Sequence, residues 1–270
     1  TCGSLLAGSA LAVSGAVIQS VLDNPLAAPN IIGVNAGAGL AVALFCAAAP
    51  TAVALVPAAA FLGALGSVLL VLMIAERTGA SRMTLVLAGV AISNVLGAGI
   101  DAIVTLAPDA LIGYSDFRIG GLANVPMSRI IPAFWVIAAA LAAVFSLAGD
   151  LDILALGVDT ARSLGLAAKR TRLILLALAA ALAGAAVSFS GLLGFVGLIV
   201  PHIIRSVTGQ ESRLLLAASA LGGAAFLTAS DLLARLLFAP YVLPVGILLS
   251  LAGGPFFIVL LLRQRGGRLP

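Results

Sequence analysis

Apolar residues lie along this chain in nine blocks, at 5–20, 31–49, 53–75, 84–106, 130–148, 173–190, 192–207, 214–238 and 242–262, with short polar breaks between them. An α-helix rises about 1.5 Å per residue, so roughly 20 residues cross the ~30 Å hydrocarbon core of a bilayer. The pattern predicts an all-α, polytopic membrane protein with about nine transmembrane helices. The block at 192–207 is short and rich in glycine, which predicts a tilted or broken span. Residues 107–128 carry Asp109, Asp116 and Arg118 and are too polar to span. They predict a short surface helix over 110–119, closed by Gly120-Gly121.

Composition agrees. Hydrophobic residues make up 62% of the chain and charged residues 9%, against roughly 25% charged in a soluble domain. The mean hydropathy of +1.25 leaves too little polar surface for a water-soluble fold. Cys2 and Cys46 lie in apolar surroundings with no metal or disulfide spacing, and read as packing residues.

Charge sets the orientation. With the turn around Asn24 on the cytoplasmic side and the spans alternating, eleven of the fourteen Lys and Arg fall on inner loops. Only Arg118, Arg129 and Arg235 fall outside, a strong positive-inside bias that also places the C-terminus in the cytoplasm. The net charge of +4 therefore reports membrane orientation and requires no nucleic-acid partner.

Three inner segments and a few polar residues are left to carry function. Asn24-Pro25 and Ala28-Pro29 must break the helix, because proline lacks an N–H and disfavours helical geometry in the residue before it. The inner segment 149–172 has apolar residues at helical spacing and predicts a short amphipathic helix over 158–164, bracketed by Gly157 and Gly165. Such a helix either rests on lipid headgroups or docks in a groove of a partner. Gln19, Asn35, Asn94 and Asp101 sit inside spans, where polar groups are costly. They either line a water-filled pathway or bond between helices. Asp231 and Arg235 stand four apart, close enough to pair on one helix.

The run from Gly15 to Gly39, with its two proline breaks, resembles the signature of the FecCD-type permeases, the membrane subunits of ABC importers for ferric siderophores, haem and cobalamin. The run Gly191-Leu192-Leu193-Gly194-Phe195-Val196-Gly197-Leu198-Ile199-Val200-Pro201-His202 resembles the family's second hallmark. The resemblance implies one permease domain over 1–270, with one helix of a roughly ten-helix fold expected upstream of Thr1. It implies a dimer of two copies or two related chains around a central pathway, in the cell membrane. It also implies cytoplasmic ATPase subunits and an extracytoplasmic substrate-binding protein as partners, with no cofactor on this chain. Ferric siderophore is the expected cargo, since iron chelates dominate the family; haem and cobalamin stay open.

Carried across residue by residue, Asn24, Pro25 and Leu26 match a cytoplasmic gate. Ser81, Arg82 and Met83 sit where a second gate falls, although Arg82 departs from the small hydroxyl residues of the family's loop. The stretch 156–165 resembles the segment that couples to the ATPase, which points to Gly157, Asp159, Ala161, Arg162, Leu164 and Gly165. Asp231-Leu232-Leu233-Ala234-Arg235 resembles a segment whose Arg meets the binding protein. No GxxxxGK[ST] loop is present, so ATP would bind on another subunit.

Two other classes fit the residues less well. An ion-coupled transporter usually carries acidic or His relays and inverted repeats, and here Asp101 is the main unpaired acid and no inverted repeat is evident. A Ser–His intramembrane enzyme would need Ser188 or Ser190 beside His202, yet a straight helix would hold Ser190 and His202 about 18 Å apart.

Overall fold

The computed structural model of the chain describes residues 1–77, 82–209, 211–237 and 240–265. Among the described residues there are twelve α-helices and no strand. They are α1 (Cys2–Leu22), α2 (Val34–Ala48), α3 (Val56–Arg77), α4 (Arg82–Leu106), α5 (Ala110–Ile119) and α6 (Met127–Ser146), then α7 (Ala148–Ala155), α8 (Val158–Ser163), α9 (Ala168–Ser190), α10 (Val196–Thr208), α11 (Ser212–Leu237) and α12 (Val245–Arg265). A 3-10 turn, Val53–Leu55, leads into α3. Six of these helices, α1, α3, α4, α6, α9 and α11, are long and apolar enough to cross a membrane unaided. The apolar helices α2, α10 and α12 complete the nine expected blocks, α2 and α10 being too short to span alone.

The bundle is built around α1. Its apolar window is 78% buried and that of α9 is 72% buried, whereas α4 is only 22% buried. The reason lies in side-chain size. In lipid there is little hydrophobic drive between helices, so close packing and interhelical hydrogen bonds must hold them. The sequence of α1 is dominated by Ala, Gly and Ser. Gly8 rests against the carbonyl of Gly223 on α11, and Gly15 against the carbonyl of Gly197 on α10. Ser14 donates to the Ala179 carbonyl on α9 at 2.6 Å, and Ser9 to the Ala220 carbonyl on α11 at 2.9 Å.

Tertiary bonds sort the helix ends into two layers. On one side, Leu192 donates to the Phe117 carbonyl, Gly121 to that of Ser190, and Gly246 to that of Gly120. On the other, Lys169 meets Glu76 at 3.4 Å, Arg205 donates to the Ser20 hydroxyl at 3.0 Å, and Ser212 donates to Asp152. These sets match the alternation that the charge pattern requires.

Three local features differ from, or sharpen, the pattern. Ile31 and Ile32 lie in the turn rather than in α2, because Gly33 sits at φ +90 and starts the helix after it. The block at 192–207 is broken: residues 191–195 are irregular and α10 begins only at Val196, with Phe195 at φ +66. Non-helical backbone is tolerated at such depth only when enclosed by protein. Here Gly191 and Leu193 are buried, and the Leu192 N–H is bonded to α5. Finally, α7 adds a helix to the segment 149–172, where the helical spacing predicts one only over 158–164. Eight residues are too few for a clear period, but Leu151 and Leu154 on one face are buried. The surface helix over 110–119 is present as α5, stopped by Gly120 at φ +69.

The close contact of α1 with α10 makes a prediction. A Cβ at Gly15 would lie on the Gly197 carbonyl, while one at Gly66 would meet nothing within 4 Å. Gly15→Ala should cost about 1–3 kcal/mol through overpacking. Gly66→Ala should be neutral or slightly stabilising. Thermal unfolding of the purified protein in detergent distinguishes the two.

Candidate functional site

The proline-broken turn begins where α1 stops. Asp23 adopts the left-handed region at φ 48, and the N–H groups of Asp23 and Asn24 return to the carbonyls of Ser20 and Gln19. This pair of bonds is the Schellman closure, with Asp in the place that glycine usually takes. Asn24 then accepts the Leu26 N–H on its side-chain oxygen at 2.9 Å, forming an Asx turn across exposed Pro25. Leu26 is half-buried, and Ala27, Ala28 and Pro29 are buried. Two neighbours grip the far end of the turn. Ser67 of α3 donates to the Gly33 carbonyl at 2.8 Å, and Gly89 of α4 packs on the Ile31 carbonyl.

Of the second gate stretch, Ser81 lies outside the described residues, as does the side chain of Arg82. Met83 opens an exposed stripe on α4, being 68% exposed. Leu87, Val90, Asn94, Ala98, Asp101 and Thr105 continue it at helical spacing. Asn94 and Asp101 are thus brought onto one face, two turns apart. Gln19 is not on any such face. It is 2% exposed, and its amide nitrogen faces the carbonyls of Gly197 and Leu198, both at 3.4 Å. Its amide oxygen has no hydrogen-bond partner among the described residues. Asn35 is half-buried in the first turn of α2.

At the same end of the bundle as the Lys169–Glu76 contact, α8 packs inward through Ala161 and half-buried Val158 and displays its other side. Ala161 is fully buried, while Leu164 is 61% exposed and Leu156, just ahead of the helix, is 64% exposed. Gly157 at φ +103 and Gly165 at φ +82 allow the sharp reversals at either end. Asp159 and Arg162 pair loosely at 3.6 Å on the solvent side. The result is a short projecting knob with two exposed leucines and a charged flank.

At the C-terminal end of α11, Arg235 pairs with Asp231 at 2.9 Å and reaches the Leu122 carbonyl at 3.4 Å. The expected pairing is present, and the Arg also joins α11 to the loop that precedes α6. On the same side, a cleft of about 720 Å³ opens between α2, α5 and α9, with Asp109, Asp116 and Arg129 on its walls.

Among the described residues no catalytic arrangement is assembled. Ser188 and Ser190 donate to carbonyls of their own helix, and the His202 ring stands edge-on to Phe256 at 6.3 Å. Among the described residues no group of three His, Cys, Asp or Glu is placed to hold a metal ion. Spacing could not have found the Arg205–Ser20 and Lys169–Glu76 contacts, whose partners lie far apart in the chain.

Six helices long and apolar enough to cross a membrane, packed on a small-residue core, define a multi-pass membrane protein. The chain matches the FecCD transport family over residues 1–263. It is 38% identical to the hemin transport system permease protein HmuU of Yersinia pestis, over 98% of this chain and 81% of that protein. It is 40% identical to the cobalamin import system permease protein BtuC of Halobacterium salinarum, over 94% of this chain and 69% of that one. With the Fe(3+) dicitrate transport system permease protein FecD of Escherichia coli it shares 38% identity, over 97% and 82%. A solved structure described as an inward-facing metal-chelate type ABC transporter matches with a TM-score of 0.90 at 27% identity, over 97% of this chain and 84% of that one. The chain belongs to the FecCD transport family. It is an ABC transporter permease and not itself an enzyme.

The Asx turn yields a prediction. Asn24→Ala removes the acceptor of the Leu26 N–H and should cost about 1 kcal/mol, whereas Asn24→Asp should keep most of that stability. The comparison is read from thermal unfolding midpoints of the two variants.

Proposed function

We propose that this chain is one of two permease subunits of a binding-protein-dependent ABC importer that carries a ferric chelate of the siderophore class. ATP is bound and hydrolysed on two separate cytoplasmic subunits. The observation that carries this reading is α8, a knob whose two leucines are more than 60% exposed beside a charged flank on the inner side. Apolar side chains presented this way fit a groove on a soluble partner, and an amphipathic helix in a groove lets one chain push on another. Asp159, Arg162 and the two hinge glycines, Gly157 and Gly165, complete the docking segment.

The pathway in this reading runs between the stripe on α4 and its counterpart on the second permease. α4 is the least buried of the long helices, so it is the one free to shift. Its Asn94 and Asp101 supply sparse polarity, with no dense ring of charge. That suits a bulky, shielded solute better than a bare ion. The turn at Asn24–Leu26 and the start of α4 close the inner end. Arg235 at the outer end, with its side chain 39% exposed, offers a docking contact for the binding protein. The C-terminus lies in the cytoplasm.

Support for an iron chelate comes from relatives. Proteins named for Fe(3+) citrate, siderophore and Fe(3+)-hydroxamate match at 36–38% identity, and the hemin permease also handles an iron compound. The cobalamin permease matches at 40%, so identity does not separate the cargoes, and haem and cobalamin are the alternatives. Uptake assays in proteoliposomes with ferric hydroxamate, ferric citrate, haem and cobalamin decide between them. Uptake that survives without ATPase but collapses with the proton gradient would instead favour ion coupling.

Two predictions follow from the docking segment and the stripe. Arg162→Glu or Leu164→Asp should abolish most binding-protein-stimulated hydrolysis while leaving the permease inserted and folded. Unchanged stimulation and co-purification in both variants would remove α8 from the coupling role. In the assembled transporter, a membrane-impermeant methanethiosulfonate reagent should modify Asn94→Cys and Asp101→Cys but not Gln19→Cys. Protection of the α4 positions in every nucleotide state would mean that the stripe faces lipid or protein.

A further inference from the structure

Helix α7 lies between α6 and the docking knob. Its Leu151 and Leu154 are buried, and Asp152 lies half-buried on its flank. An Asp152 carboxylate oxygen accepts the backbone N–H of Ser212 at 2.9 Å. Ser212 is the first residue of α11 and is 3% exposed. The first N–H groups of a helix have no partner within it, and a carboxylate there also meets the positive end of the helix dipole. α11 is therefore capped by a side chain from another helix.

We propose that Asp152 is a positioning residue that makes α7 and α11 one body, so that movement imposed on α8 reaches the outer surface through α11. This rests on the reading of α8 as the ATPase-docking segment. Only residues 156 and 157 separate α7 from α8, which leaves little slack between knob and cap. From Ser212 to Arg235, α11 extends about 35 Å at 1.5 Å per residue, nearly the whole membrane. Its far end holds the Asp231–Arg235 pair and, through Arg235, the Leu122 carbonyl of the outer loop. The tie on the other side of α8 is looser. Lys169 and Glu76 meet at 3.4 Å with side chains 60% and 37% exposed, and such pairs are largely screened by water. The bond from Asp152 is shorter, directional and part-buried, so displacement of α8 passes to α11 in preference to α3.

The test uses the assembled transporter in nanodiscs, with ATPase subunits and binding protein, in a Cys2→Ser, Cys46→Ser background. Binding protein is added empty or loaded with a ferric hydroxamate. In Asp152→Ala, the ATPase still co-purifies and basal hydrolysis is kept. The ratio of stimulated to basal hydrolysis falls at least about five-fold, the low end of typical coupling between sites. Asp152→Asn still offers an oxygen to Ser212 and restores most of the ratio. A disulfide in the Asp152→Cys, Ser212→Cys pair restores it as well, and reduction removes the recovery. An unchanged ratio in Asp152→Ala, or an oxidised pair that stays uncoupled, overturns the proposal. Loss of ATPase co-purification in Asp152→Ala also overturns it, because the residue then serves docking and not transmission. Failure of the docking reading itself shows separately, as full stimulation in Leu164→Asp whatever the Asp152 variants do.

Discussion

The close approach of α1 to its neighbours is the constraint on which the structure depends. Inside a bilayer, burying an apolar side chain against another gains little over burying it in lipid, so helices associate by contact distance and directional bonds. Gly8 and Gly15 bring the α1 backbone against carbonyls of α11 and α10, and Ser9 and Ser14 bond to α11 and α9. Contacts at this range also permit Cα–H···O=C interactions, small singly and repeated along the interface. A larger residue at either glycine would push apart the helices that hold everything else.

Rigidity is therefore uneven. α1 and α9 are the enclosed helices, with α10 and α11 packed on α1, whereas α4 packs on α2 and α3 and touches the proline-broken turn where Gly89 meets the Ile31 carbonyl. That contact joins the buried side of α4 to the proline-broken turn, so a shift of α4 bears on the turn directly. The projecting α8 packs on α7 and α9, away from α4. In the proposed transport cycle, α8 would receive force, the α1-centred bundle would act as the stiff middle, and α4 would be the loosely held wall.

Much of this was legible in the chain. The nine apolar blocks correspond to nine helices, the surface helix falls at residues 110–119, and the break near 192 is real. Asp231 and Arg235 pair as their spacing implies. Periodicity failed where a helix was too short to show a period, as in α7, or where a backbone conformation moved the boundary, as at Gly33. It also could not separate two roles for a polar residue in a span. Gln19 and Asn94 look alike in sequence, yet one is enclosed against α10 and the other stands on the exposed stripe. Which role each takes depends on partners far away in the chain, and a local pattern holds no record of them.

The central claim is that α4 moves against a rigid body built on α1 and α11. Pulsed electron spin resonance on the assembled transporter tests it, with one label pair at Leu106→Cys and Leu232→Cys and a reference pair at Leu5→Cys and Leu232→Cys. All three positions are exposed, which spares the core. The account predicts that the α4–α11 distance shifts by at least about 1–2 Å between nucleotide-free and ATP-bound states, the scale of a helix shift at an interface. The α1–α11 distance should stay constant. An α4–α11 distance that never changes during active transport, or an α1–α11 distance that changes as much, would contradict it.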